Sequence, residues 1–252
     1  LKKILVISDL HCGHRLGLTP PVHQYLPSYK AIQSKLWDWF QETCDRVEPD
    51  ILFVCGDAID GKGGRGGGTE LILPDMEDQA ACATECIRRT GASKIIMAYG
   101  TPYHVTGMEG TDLEKRIAID VGGEIHDHAM IDVEGVRFSL KHKIGSSGIP
   151  HGRATALLRD ALWDQIWSTR EYEDRKSADV LLRGHVHYHS YTGSSMSLAM
   201  TLPCLQLGST YGSRQCQGTI DYGCVEFSVE EGAYSWKRHL AKMLHKREIV
   251  SL

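Results

Sequence analysis

The chain has no C-x-x-C pair, no apolar run long enough to cross a membrane and no surplus of positive charge, and each absence removes a class of function. Its eight cysteines, Cys12, Cys44, Cys55, Cys82, Cys86, Cys204, Cys216 and Cys224, are scattered along 252 residues. A disulfide-framed secreted fold or a zinc knuckle needs tighter and more regular spacing, so these read as reduced thiols of a cytosolic protein. No stretch approaches the roughly 18 apolar residues of a membrane span. The first residues, LKKILVISDLH, read as a strand and lack the long apolar core of a signal peptide. The expectation is a soluble, cytoplasmic protein with no membrane partner. Asp plus Glu outnumber Lys plus Arg by 32 to 28, a formal charge of −4, so no broad basic field advertises a polyanion, although a local patch stays open. Repeats and linkers are also missing. With 42% hydrophobic residues the chain can bury one full core, and it reads as a single domain over 1–252. Nothing in the pattern sets its oligomeric state.

What is present is alternation. KKILVIS (2–8), DILFVCG (50–56) and KIIMAYG (94–100) are short, β-branched and apolar, and they read as buried strands. Helical spacing fills 29–47 and 73–90, the first with a stripe of Leu36, Trp39, Phe40, Cys44 and Val47 that reads as core. A short helix starts near Leu113, a hairpin over 129–142 turns at Glu134-Gly135, and a further helix spans 152–172. The last third turns to β through ADVLL (178–182), HSYTG, MSLAMTLPCLQLG, GCVEFSV and AYSWKRH. This is an α/β layout with helices covering sheets. The run GKGGRGGGT (61–69), carrying Lys62 and Arg65, is too flexible to hold a shape unless something binds it.

Polar clusters close the buried strands. Ser8-Asp9-Leu10-His11 ends the first, Gly56-Asp57-Ala58-Ile59-Asp60 the second, and Gly100-Thr101-Pro102-Tyr103-His104 the third. His142 ends the hairpin, and LLRGHVHYHSY spaces His185, His187 and His189 two apart after Gly184. The carboxyl ends of parallel strands converge on one crevice, so these groups should meet. Carboxylates mixed with imidazoles suit Mn, Fe or Zn, and two aspartates with four histidines exceed the needs of one ion. Two metals sharing a carboxylate is the natural reading.

Asp9-Leu10-His11, Gly56-Asp57 with Asp60, a lone His142 and Gly184-His185-Val186-His187, in that order, closely resemble the calcineurin-like metallophosphoesterases over residues 4 to 190. The resemblance implies a four-layer α/β/β/α sandwich of two mixed sheets with a two-metal site at the strand ends. It implies that Asp9, His11 and His187 hold one ion, that His142 and His185 hold the other, and that Asp57 bridges them. Manganese is the expected metal, with Fe, Zn, Ni and Mg as alternatives. His189 falls outside the motif and reads as a packed or rim histidine.

The third motif departs from the family, which has Gly-Asn-His there. Thr101 and Pro102 replace the asparagine and histidine, and proline neither donates a proton nor binds metal. The nearby imidazole is His104, as in the Gly-Thr-x-x-His pattern of phage-type members, and it is the candidate catalytic residue, either general acid or ligand. Asp60 either orients a histidine or caps a turn, His14 reads as loop or support, and Glu114 reads most simply as a helix-start charge, with a position facing the site as the alternative. His151 and Arg153, at a helix start soon after His142, and Arg65 in the glycine run are candidates for binding a phosphate. The implied activity is metal-dependent phosphoester hydrolysis, as a phosphodiesterase or nuclease acting on a nucleotide or nucleic acid. The alternatives are a phosphomonoesterase and a non-catalytic binding scaffold.

Overall fold

The computed structural model describes residues 1–64, 67–105, 110–170, 176–209 and 220–242. Six strands form one mixed sheet. β1 (Lys2–Ile7), β2 (Ile51–Cys55), β3 (Lys94–Ala98) and β4 (Glu124–His126) run parallel and in order, while β10 (Gly223–Glu230) joins β1 antiparallel and β11 (Ala233–Leu240) closes that edge. Five strands form the second sheet. β6 (Val136–Lys141), β7 (Val180–Arg183) and β9 (Leu198–Thr201) are parallel at its centre, flanked antiparallel by β5 (Ala129–Val133) and β8 (Ser190–Gly193).

Strand alternation decides how these sheets stack. Leu5, Ile7, Leu52, Val54 and Met97 face outward against α1 (Pro27–Val47), α2 (Met76–Arg88) and α4 (Leu113–Asp120). Ile4, Val6, Phe53, Cys55 and Ile96 face inward and meet Phe138, Leu140, Val180, Leu182 and Met200 of the second sheet. That sheet's far side receives α5 (Arg153–Ser168) through Leu157, packed with Leu181 and Ala199. The result is the four-layer α/β/β/α sandwich expected from the sequence. Among the described residues no helix is long and apolar enough to cross a membrane.

Several boundaries move for physical reasons. α1 begins at Pro27, two residues before the helical spacing starts, because proline suits a first helical turn. α2 begins only at Met76, where the Asp75 carboxylate accepts the Glu77 N–H and caps the helix. In the α1 stripe Trp37, not Trp39, is buried; Trp39 packs edge-on against Tyr222. β9 stops at Thr201 although the apolar run continues, since Pro203 follows and cannot feed a strand ladder. The chain beyond it turns back, and the Leu205 N–H bonds the Ser8 and Asp9 carbonyls. The three-residue β4 and the single turn α3 (Pro102–Val105) carry too little periodicity to be read from sequence.

Candidate metal centre

Every candidate donor sits just past the carboxyl end of β1, β2, β3, β6 or β7, so the parallel strands of both sheets deliver their polar ends to one crevice. The donor atoms fall into groups whose members lie within 4.8 Å of one another: Asp9, His11 and His187; Asp57, His142 and His185; and His11, Asp57 and His104. His11 and Asp57 each belong to two of these, and the group they share with His104 links the other two. Within the first group the Nε2 atoms of His11 and His187 are 3.3 Å apart, and Asp9 Oδ1 lies 3.2 Å from His187 Nε2. In the second group His142 Nε2 is 3.0 Å from Asp57 Oδ2.

The backbone is strained where these side chains leave it. Asp9 (φ 53°), His11 (45°), Asp57 (50°), His185 (73°) and His187 (57°) all occupy the left-handed region that non-glycine residues avoid. The other described non-glycine residues of this kind, Glu48, Glu134 and Glu231, lie at a helix end and in two hairpin turns. Left-handed non-glycine positions cost on the order of 1–3 kcal/mol each and persist where surrounding structure enforces them. Close approach is the second device. A side chain at Gly100 would strike Asp57, and one at Gly184 would strike Ser8 and Asp9, so these positions require glycine.

Hydrogen bonds set the imidazole tautomers. His142 Nδ1–H donates to the Cys55 carbonyl at 2.6 Å, which leaves the Nε2 lone pair facing Asp57 with no hydrogen-bond partner. A buried lone pair aimed at a carboxylate is a place for a cation. Against burial, which disfavours the imidazolium, Asp57 and Asp9 hold His142 well above its ordinary value. The same field acts on the acids. Although burial raises them, neighbouring histidines keep Asp9 and Asp57 well below the usual carboxylate range. The donor set, its burial and this orphaned nitrogen fit divalent metal binding.

The remaining candidates sort by place. Asp60 Oδ1 lies 2.9 Å from His11 Nδ1, so it orients that ring. His104 returns to the crevice on α3, its Nδ1–H donating to the Asp60 carbonyl at 2.6 Å and its Nε2 lying 4.0 Å from Asp57 Oδ2. This places it beside His11 and Asp57, away from the His142 and His185 side. Burial, then the His11 charge, depress it to about 4. The Thr101 hydroxyl lies 3.3 Å from both Asp57 Oδ2 and His185 Nδ1. Arg153 stacks its guanidinium 4.1 Å from the centroid of Tyr188, the residue after His187, while His151 is exposed in the turn Pro150–Gly152. Arg65 lies outside the described residues. His14 is a buried loop residue whose Nδ1 accepts the Leu16 N–H, and His189 is packed near Trp236 with Nδ1 on the Thr201 carbonyl.

Glu114 is the residue sequence reasoning undervalued. It is fully buried, and its two oxygens accept the N–H groups of Ala58 and Gly100, tying the loop after β2 to the loop after β3. A carboxylate two residues past a helix cap gives no hint of this in sequence.

No family model matches the chain, and no curated protein matches it. Solved structures do. Vps29 from Chaetomium thermophilum aligns with a TM-score of 0.51 and 10% identity, covering 95% of this chain and 98% of that one. This is the metallophosphoesterase fold. A single-site variant of Vps29 from Entamoeba histolytica aligns with a TM-score of 0.50 and 14% identity over 95% of this chain and 99% of that one. A structure described as a novel archaeal phosphodiesterase aligns at 0.46, with 14% identity over 94% and 99%. At such identities the likeness establishes the metallophosphoesterase fold, and the chemistry rests on the residues.

Proposed function

We propose that this chain is a divalent-metal-dependent phosphoester hydrolase with two ions, most simply manganese, acting as a phosphodiesterase or nuclease. The observation that supports it is the convergence of Asp9, His11 and His187 in one donor group and of Asp57, His142 and His185 in another, with His11 and Asp57 meeting in a third. Asp9, His11 and His187 would hold one ion and His142 and His185 the other, with Asp57 as the carboxylate available to both. Bound divalent ions supply a water of lowered pKa and polarise phosphoryl oxygens.

The chain's own residues do the rest. Asp60 and the Cys55 carbonyl fix the tautomers of His11 and His142, so each presents an Nε2 lone pair. Glu114 holds the Asp57 and Thr101 loops in register. His104, neutral and with its Nδ1–H committed to Asp60, offers an Nε2 lone pair, which suits a ligand better than a proton donor. A centre without a ready acid favours esters whose leaving group needs little protonation. Arg153, braced on Tyr188 next to His187, is the side chain proposed to meet a substrate phosphate.

The test is a panel assay of the manganese-loaded protein on bis-p-nitrophenyl phosphate, p-nitrophenyl phosphate, cyclic nucleotides and single-stranded DNA. Diester or DNA turnover that is lost on chelation and restored by manganese is the expected result. Turnover of the monoester alone would make the protein a phosphomonoesterase, and metal binding without turnover would make it a scaffold.

A further inference from the structure

Cys12, Cys82 and Cys86 come together although nothing in their spacing announces it. Cys82 and Cys86 lie four residues apart on α2 and so share a face, while Cys12 arrives from the loop after β1. All three are fully buried, and their sulfurs lie within 4.8 Å of one another. They also converge on a single acceptor. The Leu18 carbonyl oxygen lies 3.2 Å from the Cys12 sulfur, 3.8 Å from that of Cys82 and 3.9 Å from that of Cys86.

A carbonyl oxygen has two lone pairs, so three thiols exceed what it can accept. The distances fit another arrangement. In a tetrahedral zinc site with Zn–S of about 2.3 Å, ligand sulfurs are separated by about 3.8 Å and a sulfur and an oxygen by about 3.6 Å. Cys12 Sγ and Cys86 Sγ are 3.8 Å apart, and the three sulfur–oxygen separations bracket the second value.

We propose that Cys12, Cys82, Cys86 and the Leu18 carbonyl form a separate structural Zn2+ site behind the candidate catalytic centre. Three thiols lose their protons to the solvent as the ion binds, leaving one net negative charge. A monovalent soft ion such as Cu+ would leave two, which a site this dry disfavours. Full burial means that the ion enters as the chain folds. Once bound it pins the loop carrying His11, one residue from Cys12, to α2.

The test is cobalt substitution. The protein is unfolded, stripped of metal, refolded with excess Co2+ and desalted, then examined by absorption and metal analysis. The donors of the proposed catalytic centre are oxygens and nitrogens, so thiolate-to-cobalt charge-transfer bands report the cysteine site alone. The expected result is three cobalt ions per chain with those bands. Bands with only one ion per chain would uphold the cysteine site and sink the two-metal centre, so the two readings fail separately. Cys82→Ala should erase the bands and lower the count by one, while Cys216→Ser should change neither. Wild-type protein that takes up cobalt without charge-transfer absorption overturns the proposal without recourse to any variant. Bands that survive in a folded Cys82→Ala protein overturn it as well.

Discussion

Under the proposed function the two halves of the candidate metal centre share Asp57, and they differ in how their other donors are held. On the Asp9 side the side chains are braced several times over: Asp60 holds His11 with its carboxylate and His104 with its carbonyl, and the His185 N–H donates to the Asp9 carboxylate. On the His142 side one backbone carbonyl fixes His142, and His185 has a threonine hydroxyl for a neighbour. His104 adds a nitrogen beside His11 and Asp57, whereas the His142 and His185 group has the Thr101 hydroxyl as its neighbour. The difference teaches that one shared carboxylate does not make two equal sites. Under the proposed function the first ion is the tightly held one and the second is exchangeable.

The largest effect should come from removing what the halves share. Asp57→Asn should empty both and lower turnover by on the order of 10³-fold, measured by metal analysis and diester hydrolysis; retention of one tightly held ion would show that Asp57 serves a single half. His142→Ala separates the halves. It should leave one ion per chain and lower turnover by on the order of 10²-fold, and a protein holding no ion would contradict the claimed inequality.

His104→Ala sharpens the comparison. As a ligand of the first half, its loss should weaken that ion by roughly 10- to 100-fold and slow all substrates alike. If it is an acid, both ions stay and only esters with poor leaving groups slow down. Thr101→Val should weaken the second ion alone, by about tenfold at most.

Glu114 supports both halves equally and gives the smallest effect. Burial, with the nearby Asp57 charge adding to it, lifts its carboxyl from 4.5 to about 7. Between those values the folded metal-free protein holds a proton that the unfolded chain has released. Glu114 therefore contributes stability below that window that is lost as pH rises through it. Urea midpoints of the metal-free protein should fall less steeply with pH in Glu114→Gln than in wild type, and identical slopes would refute the assignment.

Much of this was legible in the sequence because the donors follow buried strands. Asp9, Asp57 and His185 each come directly after a β-branched or leucine-rich run, and a run that ends at a polar cluster fixes both the element and its position in the sheet. His104 was legible as an imidazole near the crevice, but its return on α3 depends on Pro102 starting a single helical turn. Glu114 and the cysteine triad were not legible, since their partners lie across the fold and leave no period in the chain. β9 was overestimated because apolar content persists past Pro203, while strand pairing requires N–H groups in sequence.

The donors span both sheets, and this orders the birth of the site. Asp9 and Asp57 hang from β1 and β2, whereas His142, His185 and His187 hang from β6 and β7, more than eighty residues later. Parallel pairings of such separation form slowly, because long loops must close before any contact rewards them. Under the proposed function, a nascent chain with its first three strands in place therefore owns Asp9, His11 and Asp57 but none of the three histidines of the second sheet. A divalent ion arriving late would act as a rivet between two finished plates, and under the proposed function the rate of its capture during refolding becomes a clock for the docking of one sheet upon the other.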